Sequence, residues 1–322
     1  MKRLPSFGVL IALLLASASA IGQDAPNRPI RMVIPFPPGG SIDRVARLIV
    51  QDWVAHLKQQ IVVDNRGGAG GTLGTELVAK ASPDGHTILY GNLGPLSIGP
   101  SVYKKLGYDL FKDLEPVSLA ASTPFILLSS TKVPVTTVQE FIAYAKQRPG
   151  QLNYASSGVG SGLQLAAELF KSVAGVDIVH VPYKGIGQAI PDIAGGRIHM
   201  LVYTYVGAIP HLKAGRLRAL MSGGEHRSPR LPNVPTCFEV GLPGFHSTAW
   251  HGIVAPAGTP KKEILRLQTT LATTLHKREL EEILAREDVE PGGNSPEAFA
   301  KFMREEHAKW AKVIKSIGLK VN

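Results

Sequence analysis

The chain has 322 residues and a formal net charge of +10, and 44% of its residues are hydrophobic. This length and composition can bury one or two hydrophobic cores, and two domains are expected. The basic residues are spread along the sequence without an aromatic-rich basic motif. We therefore expect an anionic small partner and no nucleic acid.

The first 20 residues have the pattern of a secretory signal peptide. Lys2 and Arg3 precede an apolar run from Phe7 to Leu15, and small residues follow as far as Ala20. Such a segment is too short to remain as a membrane span and is expected to be cleaved after Ala20. The pattern predicts export of a free, unanchored protein.

A loop rich in proline and glycine separates the first predicted strand, Met32 to Phe36, from a predicted helix, Ile42 to Lys58. Prolines prevent helix in the loop, glycines allow close approach of another group, and serine and aspartate suit the first turn of a helix. Such a loop presents free N–H groups at a helix N-terminus and suits an anion, although a tight turn without a ligand explains it equally well. The candidate residues are Pro38, Gly39, Gly40, Ser41 and Asp43.

The next elements continue the alternation of strands and helices. Strands are predicted at Ile61 to Asp64 and Thr87 to Gly91, with a helix at Thr72 to Ala81 between them. The loop "NRGGAGG", Asn65 to Gly71, lacks the glycine spacing of a dinucleotide fingerprint, and no P-loop lysine follows. We expect no cofactor.

A second serine- and glycine-rich loop follows the strand that begins at Leu152 and precedes a helix from about Leu163. Two such loops facing each other across a cleft would suit a ligand with negative charge at both ends. A capped turn without a ligand is the alternative. The candidate residues here are Ser156, Ser157, Gly158, Gly160 and Ser161.

The remaining elements favour α/β layers with mostly parallel strands. The predicted strands are Phe125 to Ser129, the segment from Ile178, Ile198 to Tyr203, Leu217 to Met221 and Trp250 to Ala255. The predicted helices are Val138 to Gln147, Gln188 to Ala194, Gly207 to Ala214, Lys261 to Lys277 and Pro296 to Ile317.

The sequence lacks the usual catalytic and metal-binding motifs. The ten histidines do not fall in His-Glu-x-x-His spacing, and there is no Gly-x-Ser-x-Gly motif. The single cysteine, Cys237, cannot form an internal disulfide and is far from the leader, so we expect a buried thiol and no lipid attachment there. No catalytic residue and no metal ligand is predicted.

Several segments resemble the substrate-binding proteins of tripartite tricarboxylate transporters, the Bug family of bacterial extracytoplasmic solute receptors. They occur in the family's order from Arg28 to the C-terminus and include "RPIRMVIPFPPGGSIDRVARLI", "VDNRGGAGGTLGTELVAKASPDGHTIL", "LNYASSGVGSGLQLAAELFK" and "VPYKGIGQAIPDIAGGRIHM". The resemblance therefore covers essentially the whole chain after the leader.

The resemblance implies a type II periplasmic-binding-protein fold, a Venus flytrap of two α/β domains around a ligand cleft. It implies that the carboxylate of a small solute binds at Pro38 to Asp43 and at Ser156 to Ser161. The expected domains are residues 21–118 with 225–322, and residues 119–224.

The chain departs from the family at two positions that we include among the candidate ligand-binding residues. The family usually has histidine where this chain has Gln164, and aspartate where it has Tyr203. A cleft changed at these points could prefer a different solute.

The resemblance implies a monomeric periplasmic receptor for a small carboxylate. Its partner would be a tripartite tricarboxylate transporter permease or a membrane sensor. A secreted enzyme acting on a small carboxylate is the alternative of a different class, and the two differ because a receptor returns its ligand unchanged.

Overall fold

The computed structural model describes residues 28–318, so the predicted signal peptide lies outside the described residues. Within them the chain forms ten strands and ten α-helices. The strands are β1 Ile30–Ile34, β2 Ile61–Asn65, β3 Thr87–Asn92, β4 Leu114–Ser130, β5 Leu152–Ser156, β6 Ile178–Pro182, β7 Met200–Thr204, β8 Leu217–Ser222, β9 Thr248–Pro256 and β10 Glu290–Pro291. The helices are α1 Ser41–Leu57, α2 Thr72–Ala79, α3 Gly99–Val102, α4 Val138–Lys146, α5 Gly162–Ala174, α6 Ile186–Ala194, α7 Tyr205–Lys213, α8 Lys261–Leu275, α9 Arg278–Arg286 and α10 Pro296–Ile317.

The strands form two sheet regions that share β4. In the first lobe, β2, β1 and β3 are parallel, and β9 joins β3 to β4 by antiparallel pairing. In the second lobe, β6, β5 and β7 are parallel, and both β7 and β8 pair antiparallel with β4. The parallel strands are connected through helices, as the alternation in the sequence predicts.

Strand β4 is longer than the sequence analysis predicts. Its first part, to Pro124, pairs with β9, and its second part, from Phe125, pairs with β7 and β8. The prediction began the strand at Phe125, whereas β4 also contains Pro116 and Pro124, a residue type that is disfavoured within strands. Pro116 is accommodated because the register with β9 shifts between Pro116 and Ser118.

Helix α9, Arg278–Arg286, is also absent from the sequence-based prediction. It is short and mostly polar, and only Leu280 and Leu284 are buried in it. Leu280, Ile283 and Leu284 have the spacing of one helix face, so the sequence carried a short amphipathic signal that the prediction did not use.

The amphipathic face of α1 covers one side of the first lobe. Val45, Ile49 and Trp53 are fully or almost fully buried, and the Trp53 indole N–H donates to Thr270 Oγ1 of α8 at 3.0 Å. This packing fixes the direction of α1, so that its N-terminus lies at the end of β1. No helix within residues 28–318 combines the length and apolar character needed to cross a bilayer.

The C-terminal helix α10 is attached to β9 by a shared carboxylate. Oε2 of Glu306 accepts hydrogen bonds from the indole N–H groups of Trp250 and Trp310, each at 3.0 Å. Both indoles are almost completely buried. The carboxylate thus satisfies two donors that would otherwise be unpaired in the core.

We expect Glu306→Ala to lower the free energy of unfolding by about 2 to 4 kcal/mol, because it leaves two buried N–H donors without an acceptor. Glu305→Ala is the matched control, since Glu305 is exposed and its ion pair with Lys301 spans 3.8 Å. Urea unfolding followed by tryptophan fluorescence measures both. Equal effects of the two substitutions would contradict this account of α10.

Candidate functional site

A cavity of about 340 Å³ lies between the two lobes. Its walls come from the β1–α1 loop, β3 and β9 of the first lobe, and from the β5–α5 loop, the start of α6 and β7 of the second. It is the part of the molecule where both glycine-rich loops of the sequence analysis meet. We therefore treat it as the candidate ligand site.

The β1–α1 loop is held in shape from behind by Asp43. Its carboxylate accepts hydrogen bonds from the Gly39 N–H, from Arg47 Nε and from Asn65 Nδ2, all at 3.0 Å. Burial alone would raise the pKa of Asp43, but these three hydrogen bonds outweigh it and hold the pKa below its usual value. Asp43 is buried and is not among the residues that line the cavity.

The other candidate residues of this loop, Pro38, Gly39, Gly40 and Ser41, line the cavity together with Tyr203 of the second lobe. The Ser41 N–H donates to the Tyr203 hydroxyl oxygen at 3.2 Å, so one first-turn N–H of α1 is bound across the cleft. The N-cap residue, Gly40, has no side chain to cap this helix, and Tyr203 of the other lobe supplies the acceptor for the Ser41 N–H.

In the second loop, Ser157 lines the cavity, and so do Gly162 and Leu163 in the first turn of α5. Five other candidates lie behind this surface and do not line the cavity: Ser156, Gly158, Gly160, Ser161 and Gln164. Their part in ligand binding stays a prediction.

A hydrogen-bonded network of these residues fixes the second loop. The Gln164 carboxamide oxygen accepts the Gly160 N–H at 2.7 Å, and its Nε2 lies 3.1 Å from His180 Nδ1. His180 Nε2 lies 2.7 Å from Ser156 Oγ, and Ser161 caps α5 by accepting the Gln164 N–H. Burial lowers the pKa of His180 to about 4, so the ring is neutral at neutral pH.

The lobes touch directly at the rim of the cleft. A Cβ placed on Gly70 would lie 2.3 Å from the Val159 carbonyl oxygen, and the Tyr103 hydroxyl donates to that same oxygen at 2.5 Å. Gly70 has φ +63°, in the left-handed region. The glycine-rich stretch from Asn65 to Gly71 therefore serves a close approach between lobes.

The sequence analysis missed several residues that line the cavity. The first turn of α6, from Gly185 to Gln188, forms part of the wall, and Gly185 is its N-cap residue. Thr204 also lines it, and the Thr204 hydroxyl has no hydrogen-bond partner within residues 28–318 although the residue is 1% exposed. Asn92 and His251 contribute from β3 and β9.

The sequence contained a signal for only one of these features. The stretch "VPYKGIGQAIPDIAGG" reads as a strand, a glycine turn and a helix, which is the pattern that identified the other two loops. Thr204 sits within an apolar run, and Asn92 and His251 are far apart in the chain.

Among the described residues, no Asp, Glu, Lys or Arg lines the cavity. The walls combine aromatic and aliphatic side chains, including Phe36, Phe125 and Trp250, with backbone at the N-termini of α1, α5 and α6. Helix N-termini offer N–H donors and a favourable potential for an anion. The arrangement can thus bind a small anion with an apolar body without a charged side chain.

The described residues offer no group of three or more His, Cys, Asp or Glu side chains placed to hold a metal ion. His251 in the cavity wall is almost completely buried, and burial lowers its pKa to about 3. Cys237 is buried, and burial raises the pKa of its thiol.

Comparison with known proteins shows similarity along the whole chain. The family model described as "Tripartite tricarboxylate transporter family receptor" matches residues 45–319. The protein BugT of Bordetella pertussis is 35% identical over 99% of this chain and 98% of its own. A protein of Pseudomonas sp. strain P51 is 37% identical over 98% of this chain and 94% of its own.

Solved structures show the same fold. A Rhodopseudomonas palustris protein with adipate is 38% identical, with a TM-score of 0.89 over 92% of this chain and 100% of its own. MatC from the same organism, with bound malate, is 34% identical, with a TM-score of 0.84 over 89% of this chain and 99% of its own. The periplasmic binding protein BugD is 32% identical, with a TM-score of 0.87 over 91% of this chain and 99% of its own.

These matches confirm the resemblance and the predicted flytrap fold of two α/β domains around a cleft. The chain belongs to the tripartite tricarboxylate transporter family of receptors, which includes the Bug proteins.

Proposed function

We propose that the protein is a periplasmic receptor that captures a small, non-amino carboxylate between its lobes and returns it chemically unchanged. The observation that carries the proposal is the cavity wall, in which the N-termini of three helices meet a largely apolar surface with no charged side chain from the described residues. Relatives solved with adipate and with malate support a carboxylate as the ligand class.

The absence of a carboxylate among the described residues that line the cavity also affects selectivity between carboxylates with and without an ammonium group. An ammonium group buried in this cavity would face no carboxylate from the described residues, and such burial is costly. Tyr203 is a bulky neutral wall at the position where the family resemblance implies aspartate. Amino acids should therefore bind more weakly than carboxylates of similar size without an ammonium group.

The alternative of a secreted enzyme would need a nucleophile and a base in the cavity. Ser156 and His180 have such a hydrogen bond, but Ser156 is 0% exposed, its hydroxyl also donates to the Gly158 carbonyl oxygen, and neither residue lines the cavity. A structural role in shaping the loop accounts for the pair better than nucleophilic catalysis.

The proposed partner is a transporter permease of the same class or a membrane sensor that reads the closed state. Ligand contacts to both lobes would favour closure, since a ligand shifts a conformational equilibrium by its differential affinity.

The proposed domains remain residues 21–118 with 225–322, and residues 119–224. In β4 the change of pairing partner falls between Pro124 and Phe125, which supports a crossing within this strand.

A thermal-shift panel of succinate, benzoate, aspartate and glutamate tests the ligand class. At a concentration about 100 times Kd, a binding carboxylate adds about 2.7 kcal/mol of stability, so the melting temperature rises by several degrees. We expect succinate or benzoate to give the strongest response, and Tyr203→Asp to increase the response to the two amino acids.

The strongest wild-type response from aspartate or glutamate would contradict the selectivity argument. Analysis of the ligand after prolonged incubation with the protein separates the two function classes, because conversion to a product would contradict a receptor that only binds.

Thr204→Val tests whether the unpartnered hydroxyl contacts the ligand. We expect about a fivefold to tenfold loss of affinity for the best carboxylate, the value of one neutral hydrogen bond. The free energy of unfolding without ligand should not fall, because the hydroxyl has no partner in the described structure to lose.

Ser129→Ala is the matched control for Thr204→Val. The Ser129 hydroxyl is also buried and without a partner within residues 28–318, but it does not line the cavity. Isothermal titration calorimetry should show unchanged affinity for this control. A similar loss in both variants, or none in Thr204→Val, would count against a ligand contact at Thr204.

A further inference from the structure

Two polar side chains lie next to each other on the first-lobe wall of the cavity. Asn92 of β3 and His251 of β9 are directly paired in the antiparallel register, and both line the cavity. Directly opposed residues on antiparallel strands project to the same face of the sheet. The two side chains therefore form one polar patch on a wall that is otherwise largely apolar.

Tyr90 sets the tautomer of His251. Its hydroxyl lies 3.2 Å from His251 Nδ1, and Tyr90 is fully buried with no second hydroxyl partner within residues 28–318. If the hydroxyl oxygen accepted a hydrogen bond from Nδ1–H, the hydroxyl proton would have no acceptor, which is costly in a core. The hydroxyl thus donates to Nδ1, and the ring proton lies on Nε2.

His251 is then a neutral donor at the cavity. Its Nδ1 faces Tyr90, so Nε2–H is the ring group available to a ligand. Burial keeps the ring uncharged, since it lowers the pKa to about 3.

Asn92 supplies a second donor beside it. Its carboxamide oxygen accepts the Gly94 N–H at 3.3 Å, which orients the side chain and leaves the Nδ2 amide protons. Two neutral donors next to each other suit one oxygen acceptor.

We propose that Asn92 and His251 form a second polar subsite, which binds an uncharged carbonyl oxygen on the solute, remote from its carboxylate. The inference rests on the proposed function, because it assumes that the carboxylate occupies the helix N-termini. The solute class it names is the oxo-carboxylates and related acids that carry an ester or amide oxygen.

The subsite favours an uncharged oxygen over a second carboxylate for an electrostatic reason. The first N–H of the short helical segment Gly94–Ile98 after β3 is taken by Asn92 Oδ1, and no cationic side chain of the described residues lines the cavity. A second full negative charge buried there would lose its hydration without a compensating charge.

The test compares levulinate, a keto acid, with pentanoate and glutarate, and then the next two longer homologues of each series, by isothermal titration calorimetry. A ketone is an acceptor without a donor, so it reports on N–H donation alone. At the best chain length we expect the keto acid to bind about tenfold more tightly than the matched alkanoate, and also more tightly than the matched dicarboxylate.

Three variants locate the effect. His251→Phe should remove the preference for the keto acid over the alkanoate. Tyr90→Phe should reduce the preference, because it releases Nδ1 and lets the ring proton move; Tyr90 acts here as a positioning residue. Tyr108→Phe is the matched control, since its buried hydroxyl donates to the Pro95 carbonyl and the residue does not line the cavity, so the preference should persist.

The outcomes separate this inference from the proposed function. Tight but equal binding of keto acids and alkanoates, or a preference that survives both His251→Phe and Tyr90→Phe, would overturn the subsite alone. Tightest binding by a dicarboxylate would overturn its uncharged character. If no acid of the panel binds, the proposed function fails, and the subsite fails with it.

Discussion

The helix N-termini that meet at the cavity wall are the feature on which the cleft depends. The first N–H groups of a helix have no acceptor within the helix, and a side-chain cap that binds one of them contributes about 1 kcal/mol. In the described structure, α1 and α6 begin at Gly40 and Gly185 without a side-chain cap, whereas α5 is capped by Ser161. The first turns of α1, α5 and α6 all line the cavity, and at α1 and α6 a bound anion could take the place of a capping side chain.

Because these donors are part of the backbone, their direction depends on the loops that carry them. Each of the two candidate loops has a buried polar residue behind it, Asp43 in the first lobe and Gln164 in the second. Each of these side chains accepts a backbone N–H of its loop, from Gly39 and Gly160 respectively. These two side chains thus orient the backbone of the loops from behind and do not themselves line the cavity.

The sequence predicted both loops and the alternation of strands and helices, since glycine, proline and helix-start residues act locally. It did not predict which side chains of the loops face the cavity. Asp43 and Gln164 point into the protein because α1 and α5 pack with particular faces inward, and Ser156, the last residue of β5, is buried beside His180; both depend on tertiary contacts. Asn92 and His251 become neighbours only through the register of β3 with β9, which no local pattern fixes.

The contact between Gly70 and Val159 sets a limit on closure. Where a backbone carbonyl meets a residue without a side chain, the two surfaces stop at the contact of rigid atoms rather than of adaptable side chains. In the described structure, rigid backbone atoms therefore set the separation of the lobes at this rim. A solute too large for the cavity would hold these atoms apart, and a smaller one would share the volume with water. The size of the solute is then a basis of selection in addition to its hydrogen bonds.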